Sequence, residues 1–171
     1  MLKVLGCVIV LASSFGLGMF YYRQEQWHLI SLRRLYQCIL QLQGEICYHL
    51  TTLPEAFCNV GRKQENEIGD WWRDVGLLLD TGEEQLVEVI SGTMSTLQDV
   101  GHFQGEDMQI LRELMRSLGY LDVTMQERGL TLSLQRLEDV IQRAETATRE
   151  KKKLYTMLGI LGGCFLVIIL L

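Results

Sequence analysis

The chain has 171 residues, with 16 lysines and arginines against 21 aspartates and glutamates, and a formal net charge of −5. That length holds one ordinary domain, and the acidic balance argues against nucleic acid, whose phosphates select basic surfaces. Five cysteines, Cys7, Cys38, Cys47, Cys58 and Cys164, fit neither a C-x-x-C pair nor a common zinc spacing, so they read as small apolar residues in a reducing compartment.

Val4 to Tyr22 is nineteen residues without a charge. As a helix it spans ~28 Å, close to the ~30 Å hydrocarbon core of a bilayer. Lys3, the apolar run and the small residues Gly16 and Gly18 also fit a secretory signal peptide. The run is longer than a usual signal core, however, and Phe20, Tyr21 and Tyr22 suit a membrane interface. A retained anchor over residues 1–22 is the better reading. Ser14 and Gly18 stand four apart, a spacing that lets membrane helices approach closely.

Leu32, Leu35, Ile39, Leu42 and Ile46 recur at steps of three and four, which predicts an amphipathic helix ending at Thr51-Thr52. Thr52 reads as the N-cap of a second helix, with Glu55 as its capping-box partner and Pro54 tolerated in the first turn. Lys63 to Asn66 is a polar break. An apolar run follows with Trp71, Trp72, Val75 and Leu77 to Leu79; one tryptophan is expected in the core and the other at an interface or helix junction. Thr81, with Glu84 three residues later, is expected to cap a helix whose apolar face is Leu86, Val89, Ile90, Met94 and Leu97. Gly101 to Gly105 reads as a loop. The next helix carries Met108, Leu111, Leu114, Met115 and Leu118, and Gly119 stops it. Asp122 caps the last helix, whose stripe is Leu130, Leu134, Leu137 and Ile141.

No breaker separates Gly129 from Lys153, so that helix is expected to continue into Leu154 to Leu171, eighteen further residues without a charge. Gly159 and Gly163 repeat the close-approach spacing there. With one proline and no alternating strand pattern, the expected fold is all α. It is a bundle of about six helices at 23–153, flanked by an N-terminal transmembrane helix (1–22) and a C-terminal one (154–171). Arg23, Arg33, Arg34, Arg136, Arg143, Arg149 and Lys151 to Lys153 stand on the domain side, and Lys3 alone on the other. Basic residues beside membrane ends stay in the cytoplasm, so the domain should face the cytoplasm.

Charge is unevenly placed along the domain. Gln64 to Asp122 holds thirteen acidic and three basic residues, whereas the flanks, Arg23 to Lys63 and Val123 to Lys153, hold twelve basic and eight acidic ones. The acidic part is either an ordinary solvated surface or a docking face for a basic partner, with the basic flanks toward anionic lipid. The three histidines, His28, His49 and His102, share no metal-ligand spacing, and no nucleophile elbow or phosphate-binding glycine loop is present. No metal, cofactor, small-molecule substrate or enzymatic activity is expected. Glu83, Glu84 and Glu88 lie at a predicted helix start, where acids favour the dipole; they are also the residues a docking face would use. Glu45 fits neither stripe nor cap, and belongs either to an internal pairing or to a partner.

The order of parts resembles the stage III sporulation protein AB family. The resemblance runs over nearly the whole chain. It rests on Leu11 to Ser14, on Leu32, Leu35, Leu42, Glu45, Ile46 and Tyr48 followed by Thr52 to Ala56, on Leu118-Gly119 with Asp122 and Gln126, and on Lys153 to Tyr155 with Leu158-Gly159 and Leu161 to Gly163. Gly44 and Tyr120-Leu121 depart from the family's pattern. The resemblance implies a soluble domain like the cytoplasmic domain of type II secretion F proteins. It further implies a place in the transenvelope complex between mother cell and forespore, with partners in a sporulation secretion-type ATPase and other membrane subunits. A small membrane-bound sensor or regulatory adaptor is the competing reading.

Overall fold

The apolar stripes read from the sequence each fall on one helix, and most of their residues are buried. The structure, a computed structural model, describes residues 26–82, 85–119 and 122–170, with the backbone alone at 151–156 and 158–170. The chain divides into two compact units, residues 30–141 and residues 1–29 with 142–171. Among the described residues the fold is all α, with six helices. These are α1 (26–47), α2 (Leu53–Arg62), α3 (Glu67–Asp80), α4 (Leu86–Gly101), α5 (Gly105–Leu118) and α6 (Val123–Leu170).

Within the 30–141 unit the expected stripes of α1, α4 and α5 are buried throughout. On α6, Leu130, Leu134 and Leu137 are buried as expected, but Val140 rather than Ile141 completes the stripe. Burying one Leu or Ile is worth about 1.5–3 kcal/mol, so these faces outweigh any single cap. Helices α2 and α3, α3 and α4, and α4 and α5 lie against each other in sequence. Polar links tie in the remaining two. Gln43 Nε2 donates to Thr131 Oγ1 at 3.1 Å between α1 and α6. Buried Gln126 donates to the Leu118 carbonyl at 2.9 Å, joining α6 to the end of α5. Arg136 and Glu113 form an ion pair between the same two helices.

Helices α2 and α3 meet backbone to backbone. A Cβ on Gly76 would stand 2.6 Å from Cys58 Sγ and 2.8 Å from both the Cys58 nitrogen and the Pro54 oxygen. One on Gly61 would stand 2.6 Å from the Arg73 nitrogen and 2.7 Å from the Gly69 oxygen. The two glycines face across one seam, and any side chain there separates the helices.

The expectation for Trp71 and Trp72 is corrected: both are buried. Their rings meet edge to face with centroids 5.4 Å apart, and Trp72 also lies 4.9 Å from Phe57. Trp71 can be buried because its Nε1 donates to the Thr93 carbonyl of α4 at 3.0 Å. Trp72 Nε1 has no hydrogen-bond partner among the described residues. Leu77 and Leu78, expected within the same apolar run, are exposed.

Several helix ends differ from expectation. α1 ends at 47, four residues before Thr51, and the chain turns through Leu50 at φ 53. Thr52 is the N-cap of α2 as expected, but its side chain makes no capping hydrogen bond. Thr81 does not open α4; it closes α3, its hydroxyl donating to the Leu78 carbonyl at 2.7 Å. α4 instead starts after Gln85, with Glu88 as the box partner. The end of α4 carries left-handed His102 (φ 52), with the Phe103 N–H donating to the Gln98 carbonyl at 3.1 Å. Gly119 ends α5 without the left-handed turn expected of a glycine stop (φ −72). Asp122 caps α6 as read, accepting from the Thr124 N–H at 3.1 Å.

Among the described residues no helix is long and apolar enough to cross a membrane. The two expected spans are not among the segments that bear on this. Residues 1–22, with Ser14 and Gly18, lie outside the described residues, and within 154–171 only the Met157 side chain is described, so Gly159 and Gly163 are placed by backbone alone. In the second unit α6 continues as one helix to Leu170. The Thr146 and Thr148 hydroxyls there donate to the carbonyls four residues back, at 2.9 and 2.8 Å.

Candidate functional site

Among the described residues, a polar constellation gathers at the corner between α1 and α2, around Glu45. Glu45 occupies the last turn of α1, is 8% exposed, and collects three donors. Lys63 Nζ stands at 3.1 Å from Oε1, and Asn59 Nδ2 and Thr51 Oγ1 stand at 3.1 and 3.2 Å from Oε2. Its backbone oxygen also accepts the Thr51 N–H at 3.0 Å. The Lys63 hydrogen bond, helped by Asn59, Thr51 and the Lys63 charge, holds the carboxyl below the usual glutamate range against the opposing effect of burial. One buried carboxylate thus fastens the end of α1, the turn and the end of α2. The sequence left Glu45 between pairing and partner; its carboxylate is committed inside the corner.

The corner also displays two large apolar side chains. Tyr48 is 81% exposed and Leu50 is 73% exposed. A left-handed non-glycine residue costs about 1–2 kcal/mol, and the Glu45 network is what fixes Leu50 in that geometry. Leu50→Gly is therefore expected to raise stability by about 0.5–1 kcal/mol, the strain relieved less the extra freedom of glycine in the unfolded chain. Chemical denaturation of the full chain measures it; a destabilised variant would mean that the Leu50 side chain holds the turn.

Glu45→Gln keeps the shape and removes the charge. Hydrogen bonds to a charged group are worth about 1.5–3 kcal/mol, so the variant should lose about 2 kcal/mol at neutral pH. Because the folded carboxyl sits below its ordinary value of 4.5, its contribution is present in full above that pH and is lost as pH falls through the folded value. Denaturation of both proteins across pH should show the gap closing below pH 4.5; a gap unchanged with pH would assign the loss to shape rather than charge.

The expected acidic face is placed only in part. Glu88 is exposed, and its Oε2 accepts the Gln85 N–H at 3.3 Å as the capping box of α4. Glu83 and Glu84 lie outside the described residues. Glu106 and Asp107 stand in the first turn of α5, where Asp107 is buried and accepts the Gln104 N–H at 2.7 Å. On α5, Gln109 and then Arg136 hold the Glu113 carboxyl below its usual range. Cys38, Cys47 and Cys58 are free thiols. Burial pushes Cys38 up to about 12, and burial together with the Glu127 charge raises Cys47, so neither is poised as a nucleophile at neutral pH. Among the described residues no group of three or more His, Cys, Asp or Glu side chains could hold a metal ion.

A family model described as Stage III sporulation protein AB matches residues 3–171. The chain belongs to this family. A curated relative, "Stage III sporulation protein AB" of Bacillus subtilis (strain 168), is 23% identical over 171 residues, and each chain covers the other fully. A solved structure named "Stage III sporulation protein AB (SpoIIIAB)" superposes with a TM-score of 0.66 at 20% identity. It spans 72% of this chain and 97% of its own, and shows that the helical fold is shared. The residues at the centre of the sequence resemblance, Glu45, Ile46, Tyr48 and Thr52 to Ala56, span the α1–α2 corner, and Glu45 is the one among them that binds Thr51, Asn59 and Lys63.

Proposed function

We propose that this chain is a membrane-anchored assembly subunit of the transenvelope sporulation channel between mother cell and forespore. Its helical domain stands on the cytoplasmic, mother-cell side and docks a secretion-type ATPase, while its terminal helices engage other membrane subunits. The observation that carries this reading is the family match over residues 3–171, which takes in both terminal apolar segments as well as the helical body.

In this reading residues 1–22 and 154–171 cross the membrane, and Ser14, Gly18, Gly159 and Gly163 let those helices pair closely. The basic residues beside each span keep the domain in the cytoplasm and face anionic lipid. A likeness to the type II secretion F cytoplasmic domain fits this work, because a platform needs a rigid body and docking faces, and no catalytic centre.

Deletion of the gene in its sporulating host tests the reading. Spores should arrest after engulfment and be restored by the full chain in trans; a deletion strain that completes sporulation contradicts the proposal.

A further inference from the structure

Leu77, Leu78 and Val87 are large apolar side chains at 56%, 43% and 52% exposure. They belong to adjacent helices and to one level of the fold. Trp71 Nε1 on α3 donates to the Thr93 carbonyl on α4, and the two helices are joined by the short link between Asp80 and Leu86. That antiparallel register sets Leu77 and Leu78 level with Val87, next to the link. Neither capping nor the core requires leucine at 77 or 78.

The charges beside the three along α3 and α4 are mainly acidic. Asp74 precedes Leu77 and Leu78 by one turn on the exposed side of α3, Asp80 ends the helix, and Glu88 follows Val87, all exposed. The nearest basic residue on α3, Arg73, is paired with Asp70 at 2.9 Å.

This combination narrows the occupant. An apolar patch ringed by acids is repelled by an anionic bilayer and by nucleic acid. It is also repelled by the same patch on a second copy, since a two-fold contact would set acid against acid. We infer that the α3–α4 end, through Leu77, Leu78 and Val87 with Asp74 and Asp80, docks a basic amphipathic helix of a protein partner. Apolar side chains of that helix cover the three exposed ones, and its Lys or Arg residues meet the flanking carboxylates. The inference rests on the assembly reading above and names the face that such assembly uses.

The test is photocrosslinking in sporulating cells with the full-length protein carrying benzoylphenylalanine in place of Leu77. A matched chain with the same residue in place of Leu132, an exposed leucine of α6, is the control. The expected result is an adduct mapped by mass spectrometry to a Lys/Arg-bearing helical segment of another protein, at least tenfold stronger than from position 132. Asp74→Lys with Asp80→Lys should weaken it at least tenfold. Both sites are exposed, and Asp74→Asn with Asp80→Asn gives a milder pair should the reversal unfold the chain. No adduct above the control, an adduct to lipid, an adduct to a second copy through its basic 143–153 segment, or an adduct indifferent to both pairs overturns the inference. If the surface fails while the wild-type chain still copurifies with partner proteins from membranes, the assembly reading stands. If copurification fails as well, that reading falls with it.

Discussion

Gly76→Ala is expected to destabilise the protein by about 2 kcal/mol, although alanine is the better helix former by about 1 kcal/mol. The added methyl would lie 2.8 Å from two backbone atoms of α2, the Cys58 nitrogen and the Pro54 oxygen. Backbone cannot swing aside as a side-chain tip can. The whole of α2 must shift, and the shift reaches the Glu45 corner, because Asn59 and Lys63 are carried on α2 and just past its end. Gly92→Ala is the matched control. Gly92 lies mid-helix in α4, and among the described residues nothing stands within 4 Å of where its Cβ would lie, so alanine there should stabilise by about 0.5–1 kcal/mol. Thermal melts of the full chains should therefore move in opposite directions, Gly76→Ala falling by roughly 5–10 °C. Equal shifts would mean that α2 and α3 are not in contact along this seam.

Trp72→Ala is expected to cost about 3–5 kcal/mol. Trp72 is fully buried, stacks at a tilt on Phe57 and meets Trp71 edge to face. Its loss leaves a cavity where α2, α3 and the Trp71 anchor to α4 converge. Trp72→Phe should cost less than half as much. It keeps a ring against Phe57, and it removes a buried N–H with no partner among the described residues, a group whose burial costs about 1–3 kcal/mol. Urea denaturation of the two variants measures the difference. A Phe variant as damaged as the Ala variant would indicate a partner for Nε1.

The helices were legible in the sequence because apolar periodicity depends on each helix alone. The faces of α1, α4 and α5 and the Asp122 cap of α6 follow from spacing. What spacing could not convey is which helix each face meets. Gly61 and Gly76 read as ordinary glycines until α2 and α3 are set side by side. Of the adjacent tryptophans one was expected in the core and the other at an interface or helix junction, yet a second helix supplies the Thr93 carbonyl that allows both inside. Glu45 had no local role because its three partners lie six, fourteen and eighteen residues away. Thr81 was misplaced for a different reason. A threonine hydroxyl serves a helix start by accepting an N–H and a helix end by donating to a carbonyl, and only the chain's direction at that point decides which. The exposed leucines of α3 carried the opposite lesson: an apolar run of strong local pattern placed two members outside the core.

The central claim, that this family member assembles a secretion-type ATPase with membrane subunits, is tested most directly by affinity purification. The full chain is taken from membranes of sporulating cells under mild detergent after crosslinking. The account predicts recovery of the sporulation ATPase and at least one other membrane subunit, in amounts that scale with this chain and fall at high salt. Recovery of this chain by itself, at the stage when spores complete engulfment, would contradict it.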